Sequence, residues 1–200
     1  MKIAITGGIG AGKSYLCDQL RLHYGIVVYD CDAAAKRLML ESAELQARLT
    51  QLLGEPVVKD GCYQKALVSN FLLESTENLK RLNEIVHPEV AKDFAASGAD
   101  WLESAILFDS GFIDRIYINK VICVTAPEEV RVQRIVCRNN VSPEIAKRWI
   151  NRQWKQEEVL VRSDYEIVND GQANIEEQIE QLLSWLNSSA ALSPSMNRLK

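Results

Sequence analysis

The stretch Lys2-Ile3-Ala4-Ile5-Thr6-Gly7-Gly8-Ile9-Gly10-Ala11-Gly12-Lys13-Ser14 decides the fold. Residues 2–6 read as a short buried strand that runs straight into a loop matching G-x-x-x-x-G-K-[ST] without a mismatch. From Lys13 onward Leu16, Leu20 and Tyr24 recur every four residues, which suits a helix, and Gly25 can end it. A glycine-rich turn with an accidental Lys-Ser is the bland alternative, and the strand before and helix after weigh against it. Gly7, Gly8, Gly10, Gly12 and the small Ala11 let the backbone curl so that its N–H groups point inward at phosphate oxygens. The following helix aims its positive dipole end at the same spot. Lys13 then reaches the β- and γ-phosphates, and the Ser14 hydroxyl can ligate Mg²⁺. The expected nucleotide-binding positions are Gly8, Gly10, Ala11, Gly12, Lys13, Ser14 and the adjoining Tyr15. The dinucleotide fingerprint G-x-G-x-x-G is out of register, because Tyr15 stands where its third glycine would be.

Beyond the loop, IVVYD (26–30), WLESAILF (101–108), NKVICVT (119–125) and YEIV (165–168) read as further short strands. Between them lie helical periodicities over 33–53, 64–73 and 76–98, with Pro88 fitting the first turn of a new helix. Pro127 opens another helix to about Asn139, Ser142-Pro143-Glu144 caps one running to about Val161, and 174–187 forms a closing amphipathic helix. Strands alternating with helices imply an α/β fold with a five-stranded, mostly parallel sheet covered on both faces. The block 33–98 is too long for a plain crossover and is expected to form a helical subdomain beside the strand ends. One domain over 1–187 is expected, with core 1–32, 99–130 and 162–187 and a lid near 138–158. Residues 188–200 read as a frayed tail.

The 200 residues carry 23 Lys+Arg and 27 Asp+Glu, a net charge of -4, with 47% hydrophobic and 25% charged residues. That composition is globular and argues against a dedicated nucleic-acid binder. No apolar run approaches the roughly 18 residues of a membrane span, and no signal peptide is legible. Five irregularly spaced cysteines and only two histidines point to inert thiols in a reducing cytoplasm. Within 131–155, however, seven residues are basic and one is acidic, so an acidic body carries a concentrated basic segment.

A nucleotide site alone fits a switch, a motor or a kinase. None of the ten aspartates has glycine three residues later, and Asn119-Lys120 is not followed by the x-Asp a guanine switch needs. Asp30 and Asp32 end the second strand on the side where ligands of parallel sheets bind. A carboxylate there can take the proton of an attacking hydroxyl, with Asp32 as a mere helix cap as the alternative. Asp109 follows another apolar run and resembles a metal-holding acid, with loop capping as its alternative. Arg131, Arg134 and Arg138, followed by Lys147, Arg148, Arg152 and Lys155, suit a lid that neutralises transferring phosphate, Arg138 foremost.

With these pieces in place the sequence resembles the dephospho-coenzyme A kinases, a P-loop kinase family, along nearly all of 1–187. The similarity rests on Thr6–Ser14, Asp30–Asp32, Leu82-Asn83 leading to His87-Pro88, Glu103–Asp109, Pro127 through Arg138, and Asp164 through Gly171. It implies transfer of the ATP γ-phosphate to the 3′-hydroxyl of dephospho-CoA, the last step of coenzyme A synthesis, while the residues themselves put Mg²⁺ at Ser14 and Asp109. It further implies Asp32 as general base, His87 in the acceptor-binding helical subdomain, and Asn169 and Gly171 bordering adenine. The acceptor would enter between that subdomain and the sheet. Tyr15 replaces a usual Thr, Ala105 and Asp109 replace Pro and Glu, and the family's frequent lid Arg falls on Trp149. Arg148 or Arg152 would then supply that charge to the substrate. Other small-molecule kinases, with nucleoside- or shikimate-like acceptors, and a nucleotide-dependent binding protein are the competing readings. A monomer is the favoured state, with neither nucleic acid nor membrane as partner.

Overall fold

Four buried residues, Ile3–Thr6, form strand β1, and the glycine loop hands the chain to helix α1 (Lys13–Tyr24), which closes on Gly25 in a left-handed conformation. The computed structural model describes residues 1–191. Strand β2 (Val28–Asp30) leads into α2 (Cys31–Glu41) and α3 (Ala43–Leu53). A hairpin of β3 (Val58–Lys59) and β4 (Cys62–Tyr63) follows, then α4 (Lys65–Glu74) and the 22-residue α5 (Thr76–Ser97). Next come β5 (Trp101–Glu103), a 3-10 turn at Phe112–Arg115, β6 (Lys120–Thr125) and α6 (Glu128–Asn139). The chain ends through α7 (Pro143–Ile150), α8 (Gln156–Val161), β7 (Tyr165–Val168) and α9 (Ile175–Ala191).

The described residues form two compact units, one of residues 1–27 with 118–191 and one of Val28–Tyr117. In the first, β6 lies between β1 and β7, parallel to both, with Ile5 opposite Ile122 and Val124 opposite Ile167. Ile5, Ile122, Val124 and Ile167 are fully buried, as continuous apolar strands require when helices cover both faces. Helix α9 packs on β7 and α1, and α8 on β6. In the second unit β2 and β5 pair in parallel, Asp30 opposite Glu103, while α5 packs against α2, α3 and α4. The expected class, five parallel strands with flanking helices and a helical block after β2, is observed.

Several local expectations are corrected. Strand β5 ends at Glu103, not near Phe108. Ser110 donates its backbone N–H and its hydroxyl to the Ile106 carbonyl at 3.1 and 2.6 Å, so residues 105–111 are turns around the buried Leu107. A short apolar run reads alike as strand or as buried turn. Pro88 lies inside α5 rather than opening a new helix, at the expense of one backbone bond. The segment 33–53 breaks where Ser42 caps α3 by accepting from the Leu45 N–H at 3.2 Å. The helix expected to run from Pro143 to Val161 is broken at 151–155. The hairpin was signalled only by Asp60-Gly61, whose φ angles of 51° and 73° are those of a two-residue hairpin turn. Helix α9 continues through Ala191, four residues into the expected tail, whose remainder lies outside the described residues.

Candidate active site

Phosphate chemistry begins with backbone shape. Gly12, the cap of α1, has φ 96°, and a Cβ there would overlap the Asn169 amide nitrogen. Gly8 has no room for a Cβ because the Arg131 guanidinium lies against it. The Ala11 N–H donates to Gly8 O at 3.1 Å, closing the loop, and Ala11 itself is fully buried. No acidic residue occupies the first turn of α1, so its amide groups are left for an anion. Lys13 is buried while Ser14 and Tyr15 are exposed.

Residues far along the chain hold this loop. Arg131 Nε donates to Ile9 O at 2.9 Å, and Gln153 Oε1 accepts from the Ile9 N–H at 2.7 Å. Arg134 Nη1 donates to Gly10 O, Ala11 O and Asn169 O at 3.3, 3.2 and 2.9 Å, and its Nη2 to Asn169 Oδ1 at 3.0 Å. Asn169, 7% exposed at the end of β7, is thus bound to the loop through Arg134. Gly171 (φ 89°) follows in a turn where Asp170 Oδ1 accepts from the Gln172 and Ala173 N–H groups, which hold its carboxyl below the usual carboxylate range. Arg138, by contrast, is exposed, and its Nε donates to the neighbouring Asn139 Oδ1 at 3.0 Å. Among the arginines of α6 the structure therefore brings Arg131 and Arg134 to the loop. Arg148 is exposed on α7, and Trp149 is partly buried against Val132, Ile135, Ala146 and Ile150, a packing position in place of a charge.

The second unit gathers different chemistry. Asp30 caps α2, its Oδ1 accepting from the Ala33 N–H at 2.9 Å. Capping falls to Asp30, so Asp32, exposed in the first turn of α2, keeps its carboxylate out of any hydrogen bond or ion pair among the described residues. Asp32 and His87 both line a cavity of about 120 Å³ with Cys31, Asn83, Ser104 and Phe112. That volume is below the roughly 300 Å³ at which pockets begin to take drug-sized ligands, so it fits only part of an acceptor. The His87 ring sits edge-on to Phe112, centroids 5.2 Å apart, and its Nδ1 is buried without a partner. Burial, with the Arg115 charge second, pushes its pKa down to about 4, so the ring is neutral near pH 7. Burial and then the Glu103, Asp32 and Asp30 carboxylates push the Cys31 thiol up, which removes it as a nucleophile.

Asp109 lies in the turns after β5, and the acid at the strand end is Glu103. The strand-terminus position from which an acid could reach a metal is therefore held by Glu103, opposite Asp30. Among the described residues no group of three His, Cys, Asp or Glu side chains could hold a metal. The donors present, a hydroxyl and scattered carboxylates, suit Mg²⁺, which keeps its waters and uses one or two protein oxygens plus substrate phosphates.

The model of the dephospho-CoA kinase family matches residues 1–175. The chain belongs to the dephospho-CoA kinase family. A dephospho-CoA kinase of Bacteroides fragilis is 36% identical over 193 residues, covering 93% of this chain and 93% of that protein. The crystal structure of TT1252 from Thermus thermophilus is 30% identical, with a TM-score of 0.76 over 94% of this chain and 97% of that one. Dephospho-CoA kinase from Campylobacter jejuni, 21% identical, shares the fold at a TM-score of 0.57, covering 94% and 97%.

As a dephospho-CoA kinase family member the chain is an ATP-using phosphotransferase, and no helix among the described residues is long and apolar enough to cross a membrane. Two residues escaped the sequence analysis: Gln153 at the loop and Glu103 at the end of β5. Gln153 belongs to no motif, Glu103 was read as mid-strand, and Arg131 was named only among seven basic residues of a lid. Helical spacing put Arg131, Arg134 and Arg138 on one face, but nothing local said which end of that face meets the loop.

Proposed function

We propose that this kinase transfers the γ-phosphoryl group of ATP to the 3′-hydroxyl of dephospho-CoA, giving coenzyme A and ADP. The carrying observation is the buttressed Gly7–Ser14 loop in a chain that matches the family model over residues 1–175. Lys13 and the loop amides hold the β- and γ-phosphates, and Ser14 with a carboxylate, Glu103 at the strand end or Asp109 in the turns after it, would hold Mg²⁺. The metal, when bound, neutralises charge on the phosphates. The Asp32 carboxylate takes the proton of the acceptor hydroxyl as its oxygen bonds to the γ-phosphorus and the bond to the ADP oxygen breaks. His87 Nδ1 offers a neutral hydrogen-bonding atom to the acceptor in the cavity. Asn169 and Gly171 border the adenine, Arg138 and Arg148 close over the phosphates, and Tyr15 flanks the α-phosphate. The core, acceptor subdomain and lid divide this labour, and water is kept out while the lid is closed. A monomer in the reducing cytoplasm fits the five free thiols.

The test is a coupled assay of purified protein with ATP–Mg²⁺ and dephospho-CoA, with shikimate and nucleosides as competing acceptors. Stoichiometric ADP and coenzyme A are expected. ADP formed only with another acceptor overturns the substrate, and none with any acceptor overturns the reaction.

A further inference from the structure

Arg131 is 5% exposed, yet among the described residues no carboxylate forms an ion pair with it. Its Nε is bound to Ile9 O at 2.9 Å, while its Nη2 is buried with no hydrogen-bond partner, pressed against the backbone of Gly8. The Arg131 carbonyl also packs beneath the loop, since a Cβ on Gly10 would lie 2.7 Å from it. Burial holds the guanidinium below its ordinary pKa and outweighs the opposing fields of Glu128 and Glu157. An unmatched buried cation is costly and persists where something else compensates it. Here it sits directly behind the loop that the reading above gives to a polyphosphate carrying several negative charges.

We propose that Arg131 is a positioning residue whose buried charge is matched by the polyphosphate of the bound nucleotide, through the loop segment Gly8–Gly10 that it braces. Two effects reinforce each other. The guanidinium fixes the backbone of Ile9, whose N–H is simultaneously held by Gln153, and its field reaches the phosphates through a dry interior rather than through water. The loop is thereby charged from behind, in addition to Lys13 in front. This rests on the nucleotide reading of the loop, and the experiment separates the two.

Three variants divide charge from shape. R131K keeps the charge and loses the fork, R131Q keeps an amide donor for Ile9 O and loses the charge, and R131M loses both. Dissociation constants for AMP, ADP and ATP are measured by calorimetry at several salt concentrations, with thermal unfolding of the nucleotide-free proteins. ATP binding by R131Q and R131M should weaken about tenfold, ADP less and AMP least, while R131K stays within about threefold of wild type. The salt dependence of ATP binding should stay close to that of wild type in all three variants, because a charge acting through a dry interior is screened little by salt. Nucleotide-free R131Q should unfold no lower than wild type, since it sheds an unmatched charge. Equal weakening of all three nucleotides, R131Q that binds ATP like wild type, or R131K as weak as R131M would each overturn the proposal and leave the nucleotide site standing. ATP that fails to bind even the wild type overturns the nucleotide reading and this proposal together.

Discussion

Asp30 and Asp32 stand two residues apart in different surroundings. The first is consumed by the Ala33 N–H and the second is not, so one acid shapes the helix end and the other is available to a substrate. Asp32→Asn should leave ATP affinity unchanged and cut turnover about 100-fold or more, the usual loss of a general base. Steady-state kinetics with calorimetry on the variant checks this, and normal turnover would return Asp32 to a surface role. His87 carries a separate, pH-linked expectation. Its folded pKa is lowered from 6.5 to about 4, so the unfolded chain binds a proton that the folded chain refuses. The stability this group contributes is complete above pH 6.5 and is lost as the pH falls from 6.5 toward 4. Urea unfolding at pH 7 and pH 4.5 should show wild type losing about 1–2 kcal/mol more than His87→Gln, allowing for the partial exposure of the ring.

At the scale of elements, the caps explain where helices start better than periodicity does. Ser42, Ser75 and Ser142 each accept from a backbone N–H three residues on, and each begins a helix. Asp30 does the same for α2, which carries Asp32 in its first turn. Asp30→Ala should destabilise the protein by about 1 kcal/mol in chemical denaturation, while Asp30→Ser restores most of that loss. If turnover follows stability across these two variants, Asp30 acts through the helix end alone. Helix α6 shows the limit of reading elements from spacing. Arg131 and Arg134 near its start are turned to the loop, while Cys137 and Arg138 at its end are exposed, so position along the helix mattered more than the shared face.

Over the whole molecule the net charge of -4 hides a segregation, because 131–155 holds seven basic residues and one acidic residue. The structure divides those cations further, spending Arg131 and Arg134 on the loop backbone and leaving Arg148 exposed. An exposed cation acts on a charged nucleotide through water and is screened by salt. Raising salt from about 50 to 500 mM should therefore raise the KM for ATP about three- to tenfold, and Arg148→Ala should show a smaller rise. An unchanged salt response in that variant would remove Arg148 from the binding surface.

The residues of 2–25 by themselves determined a strand, a phosphate loop and a helix, because glycine backbone freedom, a fixed Lys-Ser spacing and four-residue periodicity are all local. The alternation of strands and helices likewise determined the class of fold. What braces the loop was decided only by tertiary structure. Ile9 meets Arg131 and Gln153 across 122 and 144 residues of chain, and no local spacing encodes a contact at that separation. The end of β5 and the unbroken passage of α5 through Pro88 were decided the same way, since burial of Leu107 and packing along α5 outweigh the local preferences of a short apolar run or one proline. Local rules placed the chemistry along the chain, and packing between distant residues chose which side chains hold it in place.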